Sequence, residues 1–184
     1  EKPDIETFMR EWLSLVESKS GERGIFNRQA AIKQVESSGR RANGWEWGTN
    51  PCSEIILRGP KILEDGKNNR SGGVTGSGGQ FCNLSEIVVR ENDTLALLKK
   101  KVRVATILGT FQSTLTHFPY LRKVWKKNTE EERLLGVSLT GIMDHPVLAD
   151  AEKCGAWLTA MRHVGEELND ELAKDIGIER SASI

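Results

Sequence analysis

The 184-residue chain has three cysteines, one tyrosine and no surplus of charge of either sign. Three cysteines are too few to staple a small secreted scaffold, so a reducing, cytoplasmic setting is expected. Its 26 basic residues balance 26 acidic ones, which argues against a platform for polymeric nucleic acid that works by broad phosphate neutralisation. No apolar run approaches the roughly 20 residues of a membrane-spanning helix, and no signal-peptide pattern opens the chain. No membrane partner is therefore expected. There is no Cys-x-x-Cys and no close Cys/His pair, which disfavours a zinc site, and no metal ligands are assigned. His117, His145 and His163 lie far apart and read as surface or core residues. The glycines between Gly73 and Gly78 are followed by no Lys-Ser or Lys-Thr and open no helix, so they are not a phosphate loop.

What is present reads as a mixture of helices and strands. Ile5, Phe8, Met9, Trp12, Leu13 and Val16 mark one face of a helix over 4–18, with Asp4 and Glu6 favouring its start. A short helix over 27–37 is followed by a polar, Trp-containing loop over 39–48. Residues 50–58 begin as a turn and end in the strand-like run Ile55-Ile56-Leu57. The glycine-rich stretch 59–79 reads as a flexible loop or hairpin tip.

A second strand-like run covers 81–90. Asn92 or Asp93 would cap a helix with apolar positions at Leu95, Leu98, Val102, Ala105 and Leu108. Thr129 and Glu132 have capping-box spacing. Residues 136–139 are β-compatible and Thr140-Gly141 makes a turn. A long helix from Asp150 to about Ile176 is closed by Gly177. This order implies an α/β class with strand pairing undetermined. The length suits one globular domain. A start at Glu1 without Met and a stop at Ile184 without a polar tail suggest a piece of a longer chain.

Two segments could carry chemistry. Asn50-Pro51-Cys52-Ser53-Glu54 places an amide, a thiol and a carboxylate at alternate positions. In an extended stretch these would share one side, and Pro51 favours extended geometry at Asn50. A thiol for covalent or radical steps, a carboxylate for proton transfer and an amide for orientation form a coherent trio. The alternative is a structural turn around a small buried cysteine. Phe81-Cys82-Asn83-Leu84-Ser85-Glu86 opens the second strand-like run. If the two strands are neighbours, Cys52 and Cys82 could form a redox pair, and otherwise they are independent buried thiols. Cys154 reads as packing. The run Arg122–Lys127, followed by Glu130, Glu131 and Glu132, reads as a solvated mixed-charge surface.

Together these segments resemble the catalytic large chain of ribonucleotide reductases. Asn50-Pro51-Cys52-Ser53-Glu54-Ile55 is similar to the family's finger loop, and Phe81 to Glu86 to its redox-cysteine strand. Ser20 to Asn27 resembles the stretch before the finger loop, and Arg133 to Asp144 a later barrel strand and turn. The wording is most similar to the adenosylcobalamin-dependent ribonucleoside-triphosphate reductases. An iron-dependent ribonucleoside-diphosphate reductase chain would share the same Asn, Cys and Glu roles. A non-catalytic α/β interaction module is the alternative from another class.

The resemblance implies part of a ten-stranded α/β barrel, with a central finger loop at about 48–57 and a flexible insertion at 59–79. It implies that Cys52 carries a thiyl radical generated by adenosylcobalamin and abstracts the ribose 3′ hydrogen. Glu54 would take the 3′-hydroxyl proton, and Asn50 would bind the ribose beside them. Cys82 would be one thiol of the redox-active pair, re-reduced by a thioredoxin-like protein, with deoxyribonucleotide as product. The family's partner cysteine would lie on an earlier strand, and none precedes Cys52. The phosphate-binding turn after the last helix, the N-terminal allosteric region and a C-terminal cysteine pair are also missing. These absences imply an internal fragment, inactive alone, that depends on the missing parts of its parent chain.

Overall fold

The computed structural model describes residues 3–21, 23–41, 44–61 and 78–184. Two helices lead, α1 (Ile5–Ser18) and α2 (Arg28–Ser38). Each is started by a side chain that satisfies a free backbone N–H. Asp4 accepts from Thr7 N at 2.9 Å, and Asn27 accepts from Ala30 N at 3.0 Å. The strands β1 (Trp45–Thr49) and β2 (Ile56–Lys61) form an antiparallel hairpin. Residues 39–48, read above as loop, therefore supply a strand, because Trp45 and Trp47 lie against the guanidiniums of Arg58 and Arg41. Gly59, Pro60 and Lys61 likewise belong to β2 and not to a flexible loop. The remainder of that expected loop, 62–77, lies outside the described residues.

The second half is built on β3 (Asn83–Val88), α3 (Leu95–Gln112), α4 (Lys123–Glu132), β4 (Leu135–Thr140) and α5 (Cys154–Ile176). β3 and β4 run parallel in register from Asn83↔Leu135 to Val88↔Thr140. Such a pair needs a long crossover, which α3 and α4 provide. The fold is thus mixed α/β, with the described strands in two separate two-stranded sheets.

Ile87, Val89, Leu98, Val102, Ala105, Leu148 and Met161 form the main core, where β3, α3 and α5 meet. Burying each of the larger of these side chains contributes roughly 1.5–3 kcal/mol. Leu108, expected on that face, is exposed, and Gly109 approaches β4 instead: a Cβ there would lie 3.3 Å from Leu135.

Three boundaries differ from expectation. Thr94 caps α3, accepting from Leu97 N, while Asp93 turns back to Arg90 N and Lys101. Thr129 and Glu132 match a capping box but lie at the end of α4, where Glu132 is claimed by arginines. The helix α5 begins at Cys154, because Asp150 instead accepts from Glu152 N and pairs with Lys153 in a preceding turn. Gly177 does close α5 in the left-handed region, at φ 70°. Gly141 has φ 78°, and a Cβ there would meet Val89 O at 2.5 Å, so only glycine fits this turn.

Candidate active site

Residues 50–55 connect β1 to β2, and the Asn50 side chain organises them. Its Oδ1 accepts from Ile55 N at 3.2 Å, its backbone carbonyl accepts from Ser53 N at 3.0 Å, and its Nδ2 donates to Glu54 Oε1. Ser53 adopts φ 64° to complete the turn. The segment is therefore the turn expected at the start of 50–58, and not the extended stretch that would put alternate side chains on one side. Asn50 and Glu54 meet because the chain folds back, and not by alternation along a strand. Cys52 and Glu54 are both exposed.

The base of the hairpin is held differently. Arg41 donates to both carboxylate oxygens of Glu132, at 2.9 and 2.5 Å, and to Ile56 O at 2.6 Å. Arg58 donates to Glu131 and Asn128, and its Nε lies 3.2 Å from Glu132 Oε1, an ion pair without hydrogen-bond alignment. Gln80 adds a further donor to Glu132. The side chains of Arg41 and Glu132 are only 3% and 2% exposed. Burial would raise the Glu132 carboxyl, but the Arg41 guanidinium, with Gln80 and Arg58, holds it below the usual glutamate value. Glu132 is thus no part of a solvated charged surface.

Cys82 sits immediately before β3, half-buried beside Ile55, Leu134 and Ala182. Burial, with a further contribution from the Glu54 charge, pushes its thiol up to about 11. The strands that follow Cys52 and Cys82 lie in different sheets, so the two cysteines are not strand neighbours. Both are free thiols, and Glu54 is what relates them. Cys154 is a half-buried thiol packed against the main core.

Cys52 and Glu54 line a cavity of about 660 Å³, together with Arg40 after α2, Gly136 of β4, Arg162 of α5 and Ser183. Asn50 contributes through Glu54. The terminal segment is clipped in place: Leu135 N donates to Ser183 O and to Ser181 Oγ, each at 3.1 Å.

The arginine–glutamate cluster and the cavity arginines were not singled out by sequence reasoning. The one available hint was Arg41 and Arg58 flanking two alternating tryptophans. His145 is buried, its Nδ1 accepting from Val147 N and Leu148 N and its Nε2 on Asp93 O. It is a structural residue.

Among the described residues, no group of three or more His, Cys, Asp or Glu is placed to hold a metal ion, and no helix is long and apolar enough to cross a membrane. No family model, no curated protein and no solved structure matches this chain.

Proposed function

We propose that this chain is part of the catalytic barrel of a ribonucleotide reductase, of the kind that acts on ribonucleoside triphosphates and uses adenosylcobalamin. One observation carries the reading. Cys52 and Glu54 face one cavity, Asn50 holds Glu54, and the charge of Glu54 reaches the Cys82 thiol.

As a thiyl radical, Cys52 takes the 3′ hydrogen of the ribose. Glu54 takes the 3′-hydroxyl proton, while Asn50 orients that carboxylate and the sugar. The 2′ hydroxyl leaves as water. Cys82 and a second thiol, from a part of the parent chain outside this 184-residue sequence, supply two electrons and become a disulfide. Cys52 then returns its hydrogen to the 3′ carbon. One ribonucleotide and two thiols thus give one deoxyribonucleotide, one disulfide and one water. A Cys82 thiol that stays protonated at neutral pH suits this role, since it must deliver hydrogen as well as electrons. A thioredoxin-like protein reopens the disulfide.

The described residues do not themselves form a seat for adenosylcobalamin. The cavity beside Cys52 is lined by Arg40 and Arg162, which would exchange their pairs with Asp170 and Glu166 for a substrate phosphate.

A non-catalytic interaction module is the second reading, favoured by the exposure of Cys52, because a sulfur radical needs seclusion. The test is ribonucleotide reduction by the complete catalytic chain, with a dithiol as reductant. Cys52→Ser should abolish product while leaving ribonucleotide binding in place. Cys82→Ser should stop multiple turnovers. Undiminished reduction by the Cys52→Ser chain would sink the proposal.

A further inference from the structure

We propose that Ile55, seated in the notch that Gly136 leaves on β4, is a positioning residue that fixes how far the Cys52–Glu54 turn stands from Cys82. The inference deepens the ribonucleotide reading, on which its kinetic test rests, while the geometry that carries it is independent of any substrate. Within the turn Cys52, Ser53 and Glu54 are exposed, and Ile55 drops to 2% exposure. It packs with Leu134 and Ala182, and Cys82 lies against the same cluster. The residue next to Glu54 in the chain is therefore also the one beside Cys82 in space.

Ile55 is firmly tied to its turn. Its N–H donates to Asn50 Oδ1 at 3.2 Å, and its carbonyl accepts from Thr49 Oγ1 at 3.0 Å and from Asn50 N at 3.4 Å. Asn50 Nδ2 in turn holds Glu54. A displacement of Ile55 thus carries Asn50 and Glu54 with it.

The seat is made by a missing side chain. Gly136 pairs with Leu84 inside the parallel ladder, and its φ lies outside the left-handed region, so the backbone does not require glycine there. A glycine within a strand marks close approach of another group. A Cβ at this position would lie 2.5 Å from Leu84 Cδ2 and 3.3 Å from Ile55 Cδ1. Leu84 is 49% exposed and can turn aside. Ile55 is enclosed, and its β-branched side chain is stiff, so it yields only by moving with its turn. The two positions are complementary to the atom: valine at 55 lacks the one carbon of Ile55 that alanine at 136 would press on.

The experiment uses the complete catalytic chain carrying Gly136→Ala, Ile55→Val or both. Two quantities are read: kcat and KM for ribonucleotide reduction, and the rate at which iodoacetamide alkylates Cys82 below its midpoint, where the rate follows the thiolate fraction. Gly136→Ala should raise that alkylation at least about threefold, as burial and the Glu54 charge recede from the thiol. It should lower kcat about tenfold with KM held within about twofold, a loss of orientation and not of binding. Ile55→Val alone should do less on both counts, and the double variant should return to the Ile55→Val values. Ile55→Ala empties the seat and should raise the alkylation too, so the test does not hang on the folding of Gly136→Ala. Three results overturn the inference: alkylation unchanged in both Gly136→Ala and Ile55→Ala, a rise in KM that Ile55→Val does not relieve, or no recovery in the double variant. A parent chain that reduces no ribonucleotide would end the reading above and leave the alkylation to decide this inference alone.

Discussion

At its base the β1–β2 hairpin buries Arg41 and Arg58 against Glu132, with Trp47 and Trp45 on the guanidiniums. At its tip, Cys52 and Glu54 stand exposed, in a turn tied back by Asn50, by the Thr49 hydroxyl on Ile55 O and by the buried Ile55. The base is over-determined and the tip is not. A buried ion pair gives little net stability compared with packed apolar groups, but removing one member strands the other charge in the interior. The base therefore sets where the hairpin points, and the tip can present reactive groups without being walled in. Precision at Cys52 comes from residues set back from the tip, of which Arg41 also reaches the cavity wall.

The largest effect that would test this contrast is at the base. Glu132→Ala leaves Arg41 and Arg58 buried without their carboxylate and should cost about 3–5 kcal/mol in urea unfolding. A loss below about 1 kcal/mol would break the comparison. The same group should be visible in pH. Because the folded Glu132 carboxyl is held below its ordinary 4.5, its contribution is present above that value and is lost as pH falls through the lowered one. Glu132→Gln should flatten that acid limb relative to the parent chain.

A smaller effect is expected at the tip. Asn50→Ala removes the bonds to Ile55 N and Glu54 and should cost about 0.5–1.5 kcal/mol. Cys52→Ser, at an exposed position, should stay within about 0.5 kcal/mol. Equal losses at base and tip would erase the distinction.

The smallest effect sharpens the link between Glu54 and Cys82. Alkylation of Cys82 should follow a midpoint near 11, and Glu54→Gln should lower it, while burial keeps it above the ordinary 9.0. Since the unfolded thiol ionises first, stability should decline as pH rises from 9 towards 11. A midpoint unmoved by Glu54→Gln would separate the two residues.

The helices α1, α2, α3 and α5 were legible because their information is local, whereas α4 (Lys123–Glu132) was not read as a helix. Asp4, Asn27 and Gly177 act on backbone within a turn of themselves, and the 3.6-residue spacing of α1 needs no partner to be seen. The β1 strand was not legible, since Trp45 and Trp47 are held by Arg58 and Arg41, and those arginines by a glutamate 91 positions beyond Arg41. Thr129 and Glu132 show the converse: correct capping spacing, overridden by a tertiary demand on the carboxylate. At the candidate site the residue types Asn50, Cys52, Glu54 and Cys82 could be picked from the sequence. Their arrangement could not, because Asn50 folds a turn where alternation suggested a strand. Arg40 and Arg162 reach the cavity from distant elements, and no sequence pattern places them there.

The clip at Ser181 has a consequence for how the chain tolerates change. Its hydroxyl holds Leu135 N across 46 residues, and its own N–H is held by Asn169. The entropy of closing such a loop rises only with the logarithm of its length, about 0.6 kcal/mol for a doubling. Residues could be added in the turn before α5 with little effect on the wall that Ser183 and Ile184 give to the cavity. Loss of the Ser181 hydroxyl would remove one strut of that wall and leave it on Leu135 N to Ser183 O and Ala182 N to Glu132 O. The cavity wall is insulated against insertion because its bonds join segments and not lengths of chain.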